Sequence, residues 1–253
     1  MPIFMKSGVP GLAAEEKKLQ DAMLRLRYAQ VPVVSAVRGL ALGGGCELAV
    51  YSARRVAHME SYMGLVEVGV GLLPGGGGLT YIARRAAEMA NAANANADIL
   101  KFLTDGFTNA AMAKVGTSAL ESRKLGYLVE GDVIVPHKDE LLAVALTQAR
   151  SMAASGWRPP HKALFPVAGR NAVATIQAQL ANMRDGGFIS AHDFHISTLI
   201  AQVVCGGDVD AGSLVSEEYL MALERKGFTA LLGHPKTQER IMGMLQTGKP
   251  VRN

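Results

Sequence analysis

The chain alternates between two hydrophobic periods. Across residues 11–29 (GLAAEEKKLQDAMLRLRYA), Leu19, Met23 and Leu26 recur at spacings of four and three with charges between them, which predicts an amphipathic helix. The period then shortens. VPVVSAV, residues 31–37, is a β-branched run bracketed by Pro32 and Gly39, which suits a short buried strand better than a helix. LALGGGCELAVYSARR (40–55) follows as a glycine turn leading into good helix formers. A second round repeats the order: ARRVAHM (53–59) reads as a strand, SYMGLVEVGVGLLP (61–74) as an extended or looped stretch, and GGGGLTYIARRAAEMA (75–90) as a glycine-led helix.

Farther on, residues 92–119 are alanine-rich and expected to be mostly helical, and YLVEGDVIV (127–135) is the next expected strand, starting after the helix stop Leu125-Gly126. ELLAVALTQARSMAA makes residues 138–154 a long helix that ends at Ser155-Gly156. Trp157 to Pro160 mark a boundary with two consecutive prolines, and beyond them 170–184, 190–205, 214–226 and 235–246 all carry helical patterns. The expected organisation is an α/β part, residues 1–155, and an all-helical part, residues 156–253. No period of a repeat architecture is present, and low complexity is confined to NAANANA at 91–97.

Composition narrows the function classes. The 253 residues suffice for a real core; apolar residues make up 49% and charged residues 19%, yet no run of about 18 apolar residues occurs, so a membrane span is not expected. The net charge of +4 is scattered, too weak a signal for nucleic acid but compatible with steering a small anionic ligand. Cys46 and Cys205 form no C-x-x-C pair, so neither a disulfide framework nor a zinc site is expected, and the compartment reads as reducing. MPIFMKSGVPG lacks the marks of a signal peptide, which makes the expected location cytoplasmic.

Glycine, 28 residues in all, concentrates at 39–45 and 69–78. Gly43 to Gly45 open a helix, where backbone N–H groups lack intrahelical acceptors and the dipole is positive, a setting for an oxyanion. Glu47 lies in that first turn. Glu67 follows twenty residues on, among Leu65, Val66, Val68 and Val70, surroundings that raise a carboxyl pKa and fit an acid or base near neutrality. Each feature has a plainer reading: tight packing for the glycines, a dipole contact for Glu47, an ion pair with Arg84 or Arg85 for Glu67.

VPVVSAVRGLALGGGCELA followed by SYMGLVEVGVGLLPGGGGLT resembles the crotonase, or enoyl-CoA hydratase/isomerase, superfamily, with a G-G-G-C-E-L-A turn and a second Glu twenty positions later ahead of a proline-glycine loop. Weaker similarity runs through SALESRKLGYLVEGDVIV, and KTQERIMGMLQTGKPVRN looks like the end of long bacterial fatty-acid oxidation proteins that join a 3-hydroxyacyl-CoA dehydrogenase to a hydratase. The resemblance implies an α/β crotonase-like ββα spiral, N-terminally incomplete, followed by a helical C-terminal region. It implies that Leu42, Gly43 and Gly44 seat the thioester of an acyl-CoA substrate, with the Gly44 N–H in the oxyanion hole. Glu47 and Glu67 would hold a water against the enoyl double bond, one as base and the other as acid. Two carboxylates favour hydration in fatty-acid β-oxidation over isomerisation; a catalytically silent CoA-binding or assembly module is the other reading. Coenzyme A arrives with the substrate, and no permanent cofactor is implied. Such proteins form homo-oligomers, trimers or pairs of trimers.

The family's second oxyanion donor comes from an A-F-x-A-G-x-D turn upstream of the first helix, and MPIFMKSGVPG has none. The expectation is a truncated or remnant chain, with turnover lowered by roughly 10² to 10³. Other motifs add little. Gly75 to Gly78 lack the Lys-Ser/Thr of a P-loop, Gly69-x-Gly71 does not continue to a dinucleotide fingerprint, and Ser35, Ser52 and Ser61 have no nucleophile-elbow context. His192 and His195 in AHDFH read as exposed helical histidines rather than metal ligands, and Cys46 as a packing residue. Lys226 and Lys236 could meet CoA phosphates, and Leu220, Leu223, Leu231 and Leu232 read as core or subunit contact.

Overall fold

The computed structural model describes residues 2–94 and 98–253; residues 95–97, within the alanine-rich stretch, lie outside the described residues. Helix α1 (Pro2–Arg27) bends at Gly8 and delivers the chain to β1 (Val34–Leu42). The glycine turn and α2 (Gly44–Tyr51) return it to β2 (Arg54–Gly64), which pairs parallel with β1. β2 runs farther than the Met59 limit expected from its pattern. The register shifts between Val37–Ala57 and Gly39–Ser61, giving β2 two extra residues, and pairing resumes through Leu40–Tyr62, Ala41–Met63 and Leu42–Gly64. The Gly43 N–H then donates to the Gly64 carbonyl at 2.8 Å, so both strands finish level.

β3 (Val133–Val135) adds to the far side of β2 and is much shorter than the expected 127–135. Asp132 is the reason. Its carboxylate accepts N–H bonds from Val129 (2.8 Å) and Arg55 (2.9 Å) and the Arg55 Nε–H (2.6 Å), while Gly131 takes φ +89°, so the chain turns where it was expected to extend. Tyr127 is likewise engaged, donating its N–H to Ser122 O behind α5 (Ala119–Lys124).

α3 (Gly78–Ala92) and α4 (Ile99–Ala111) pack together, and a turn with Ala113 at φ +51° separates α4 from α5. α6 (Leu141–Ala154) closes the first part, lying against β1 and β2. The remainder is α7 (Gly169–Asp185), α8 (Ala191–Val204), α9 (Glu217–Leu232) and α10 (Pro235–Thr247). It is not wholly helical: β4 (Phe165–Pro166) pairs antiparallel with β5 (Leu214–Val215), because Ser216 caps the Tyr219 N–H and starts α9 only at Glu217.

One apolar cluster joins Met23 of α1, Val50 of α2, Leu79 of α3 and Leu103 of α4 to Ile196 and Ile200 of α8 and Leu231 of α9. Burial of such side chains is the main force holding α7 to α10 against the sheet part. Among the described residues, no helix is long and apolar enough to cross a membrane.

Candidate active site

The level ends of β1 and β2 place two turns side by side. One holds Leu42, Gly43 and Gly44 and opens α2; the other leaves β2 and forms a 3-10 turn, Glu67–Val70. Gly43 sits at φ +54°, and a Cβ there would stand 3.0 Å from Glu67 Oε1. A Cβ on Gly44 would stand 3.9 Å from Glu47 Oε2. The two carboxylates therefore approach the Gly43–Gly44 peptide together. Leu42 is half-buried and Gly43 buried, whereas the Gly44 and Gly45 backbone is exposed.

Glu47 is only 2% exposed, and its Oε1 accepts N–H bonds from Gly76 (2.8 Å) and Gly78 (2.9 Å). The 75–78 run is thus a cradle for a carboxylate. Glycine is needed for contact: a Cβ on Gly76 would lie 2.4 Å from Glu47 Oε2, and one on Gly78 would lie 3.0 Å from Oε1.

Burial raises the Glu47 pKa above the carboxylate range, and the two glycine amides oppose that rise by stabilising the anion. Burial also raises Glu67, and the Glu47 charge raises it further; its Oε2 is buried without a hydrogen-bond partner among the described residues. The amide donors thus fall on Glu47 and the orphaned oxygen on Glu67. The ion-pair alternative for Glu67 does not hold, since Arg84 bonds Glu88 and Glu217 and Arg85 bonds Glu88.

Two further buried carboxyls surround the cradle. Glu224 of α9 is fully buried, accepting at Oε1 from Thr80 N–H (2.5 Å) and Thr80 Oγ1–H (2.8 Å), while its Oε2 lacks a hydrogen-bond partner among the described residues. Burial, then the Glu47 charge, push it up to about 8. Glu16 of α1 is 7% exposed, neither oxygen has a hydrogen-bond partner among the described residues, and a Cβ on Gly75 would stand 2.2 Å from its Oε1. Burial, then the Glu224 charge, push it up to about 9. The sequence held a signal for both. Glu224 shares a helical face with Leu220, Gly227 and Leu231, and Glu16 shares one with Gln20, Met23 and Leu24.

Elsewhere, Cys46 and Cys205 are buried free thiols, each pushed up by burial, in keeping with packing. His192 is buried, contrary to the exposed reading, and stacks on His234 with ring centroids 4.4 Å apart; His195 is exposed. Among the described residues no group of three His, Cys, Asp or Glu could hold a metal ion. Leu220 and Leu231 are core residues. Three clefts, of about 250, 630 and 450 Å³, are lined by residues other than Glu47 and Glu67.

Residues 10–104 match the family model described as enoyl-CoA hydratase/isomerase. The chain is 42% identical over 241 residues to the probable 3-hydroxyacyl-CoA dehydrogenase of Bacillus subtilis (strain 168), a match covering 94% of this chain and 29% of that protein. A stretch of 60 residues is 45% identical to the short-chain-enoyl-CoA hydratase of Clostridium acetobutylicum, covering 24% of this chain and 23% of that enzyme. The chain thus spans less than a third of the length of these relatives. The crystal structure of an enoyl-CoA hydratase from Mycobacterium avium subsp. paratuberculosis K-10 superposes with a TM-score of 0.54 at 20% identity, over 97% of this chain and 74% of that one, a likeness of fold.

Proposed function

We propose, for a chain whose residues 10–104 belong to the crotonase superfamily of enoyl-CoA hydratases and isomerases, that it adds water across the double bond of a 2-enoyl-CoA. The observation that carries this reading is the convergence of the Glu47 and Glu67 carboxylates on the Gly43–Gly44 peptide. Their unequal surroundings support a division of labour. Glu47, stabilised as an anion by the Gly76 and Gly78 amides, takes a proton from water as the water oxygen bonds the β-carbon. The electron pair of the double bond moves toward the thioester, and the enolate charge that develops on its oxygen is met by the Gly44 N–H in the oxyanion hole. Glu67, kept protonated by burial and by the Glu47 charge, delivers that proton to the α-carbon. Proton return from Glu47 to Glu67 restores the pair.

Leu42 and Gly43 shape the seat of the thioester beside Gly44. Coenzyme A is the handle of the substrate, and no resident cofactor takes part. The dehydrogenase named for the Bacillus relative is not carried over, since Gly69-x-Gly71 lacks the rest of a dinucleotide fingerprint. Assembly as a trimer or pair of trimers in the cytoplasm belongs to the same reading, and sedimentation tests the assembly.

The test is crotonyl-CoA hydration followed by loss of enoyl absorbance. Glu47→Gln and Glu67→Gln each lower kcat by about 10² to 10⁴, and the wild type shows a bell-shaped pH profile set by the pair. Double-bond migration without water uptake would make the chain an isomerase. Calorimetric acyl-CoA binding with no turnover would make it a silent module.

A further inference from the structure

The turn that carries Glu67 is short. A four-residue 3-10 turn followed by Gly71 at φ +82° has little hold on its own geometry, with Gly71 N–H on Val68 O (3.0 Å) and Leu72 N–H on Glu67 O (3.0 Å) as its closing bonds. Gly69 N–H also donates to Val66 O (2.9 Å) and Val68 is buried in the core, and α10 adds a further hold. Arg240 is fully buried, and each of its five N–H directions is used. Nη1 donates to Val68 O (3.0 Å) and Asp193 Oδ1 (2.7 Å), Nη2 to Ser190 Oγ (3.2 Å) and Asn253 O (3.4 Å), and Nε to Asn253 Oδ1 (2.8 Å). One turn earlier, the Thr237 hydroxyl donates to Gly71 O at 2.7 Å. With that proton committed, His192 Nε2–H is the donor to Thr237 Oγ1, 2.9 Å away.

Both α10 contacts are made with carbonyls of the segment that begins at Glu67. The apposition is close, since a Cβ on Gly71 would stand 2.8 Å from Thr237 Cα. Behind Arg240, Asp193 and Ser190 form the capping box of α8, so the guanidinium is braced on a rigid helix start.

We propose that Arg240 is a positioning residue for Glu67: by gripping the Val68 carbonyl, with Thr237 gripping that of Gly71, it makes α10 set where the acid meets the substrate. The inference rests on the reading of Glu67 as the proton donor. Lysine cannot replace the fork, because an ammonium brings three donors on a flexible stem and cannot reach five fixed acceptors.

The experiment compares the wild type, Arg240→Lys, which keeps a charge beside Asp193, and Thr237→Val, which keeps shape and removes the grip on Gly71 along with the acceptor of His192 Nε2–H. Crotonyl-CoA kinetics are read with a carbon-13 NMR titration of the Glu67 carboxyl, assigned by its loss in Glu67→Gln. For Arg240→Lys the expected result is a kcat lower by about 10- to 100-fold with KM changed by less than about threefold. The Glu67 titration is expected to move toward the ordinary carboxylate range as the loosened turn lets in water. Thr237→Val moves both readouts in the same directions by less, and carries the test if Arg240→Lys does not fold. If folded variants keep the wild-type kcat and Glu67 titration, the inference is overturned. If the wild type hydrates nothing while the titration still moves, the hydratase reading fails and the positioning role of α10 stands.

Discussion

Gly43 is the residue on which the site turns. It links β1 to α2 at φ +54°, and its bare Cα leaves room for Glu67 Oε1 where a Cβ would press at 3.0 Å. Gly43→Ala puts a Cβ on backbone at φ +54°, ψ −123°, outside the left-handed helical region and open in practice only to glycine, which costs about 1 to 3 kcal/mol and displaces the acid. The expected outcome is a lower urea midpoint together with a kcat loss of about tenfold or more, larger than the stability loss explains. At this scale the sequence was informative where residue types stand at a fixed spacing: that Gly43, Gly44, Glu47 and Glu67 come together in space was readable. The Gly76 and Gly78 donors were not, because a glycine run does not disclose which acceptor its amides face. Arg240 was hidden for a similar reason, its acceptors coming from residues 68, 190, 193 and 253.

At the scale of elements, α9 and α1 each bring a carboxyl into the interior beside the glycine cradle. Glu224 and Glu16 have pKa values raised to about 8 and about 9 from an ordinary 4.5, so the folded state keeps protons that the unfolded chain releases. Their contribution to stability is complete below about pH 4.5 and declines as pH rises through 8 to 9, by up to about tenfold in the folding equilibrium per pH unit for each proton held. Glu224→Gln still accepts from Thr80 and cannot ionise. Its urea midpoint is expected to match the wild type at about pH 5 and exceed it at about pH 9; equal midpoints at both would refute this account. Helices were legible because amphipathic periodicity survives tertiary context: the expected 170–184, 190–205 and 235–246 appear as 169–185, 191–204 and 235–247. Strand limits were not. The extension of β2 depends on its neighbour β1, and the shortening of β3 depends on three donors converging on Asp132.

Across the whole molecule, the glycine cradle is closed by helices from opposite regions of the sequence. The Gln20 amide of α1 donates to Gly75 O (2.7 Å) and to Met221 O of α9 (2.9 Å), and Arg225 of α9 bonds back to Gln20. Contacts spanning some two hundred residues leave no trace in local periodicity, so this closure could be seen only in three dimensions. The molecule also carries a built-in reporter. Cys46, next to Glu47, and Cys205, at the end of α8, are both sealed from solvent. A disulfide-exchange reagent added to folded protein is expected to modify neither thiol at the speed of a free cysteine. Cys46 lies by Gly64 at the end of β2, with Tyr81 of α3 and Tyr127 close by, so local opening between α2 and β2 would let Cys46 react ahead of Cys205, whereas global unfolding would release both together. The ratio of the two labelling rates therefore times how often the helix bearing Glu47 lifts from the strand that leads to Glu67, with no substrate present.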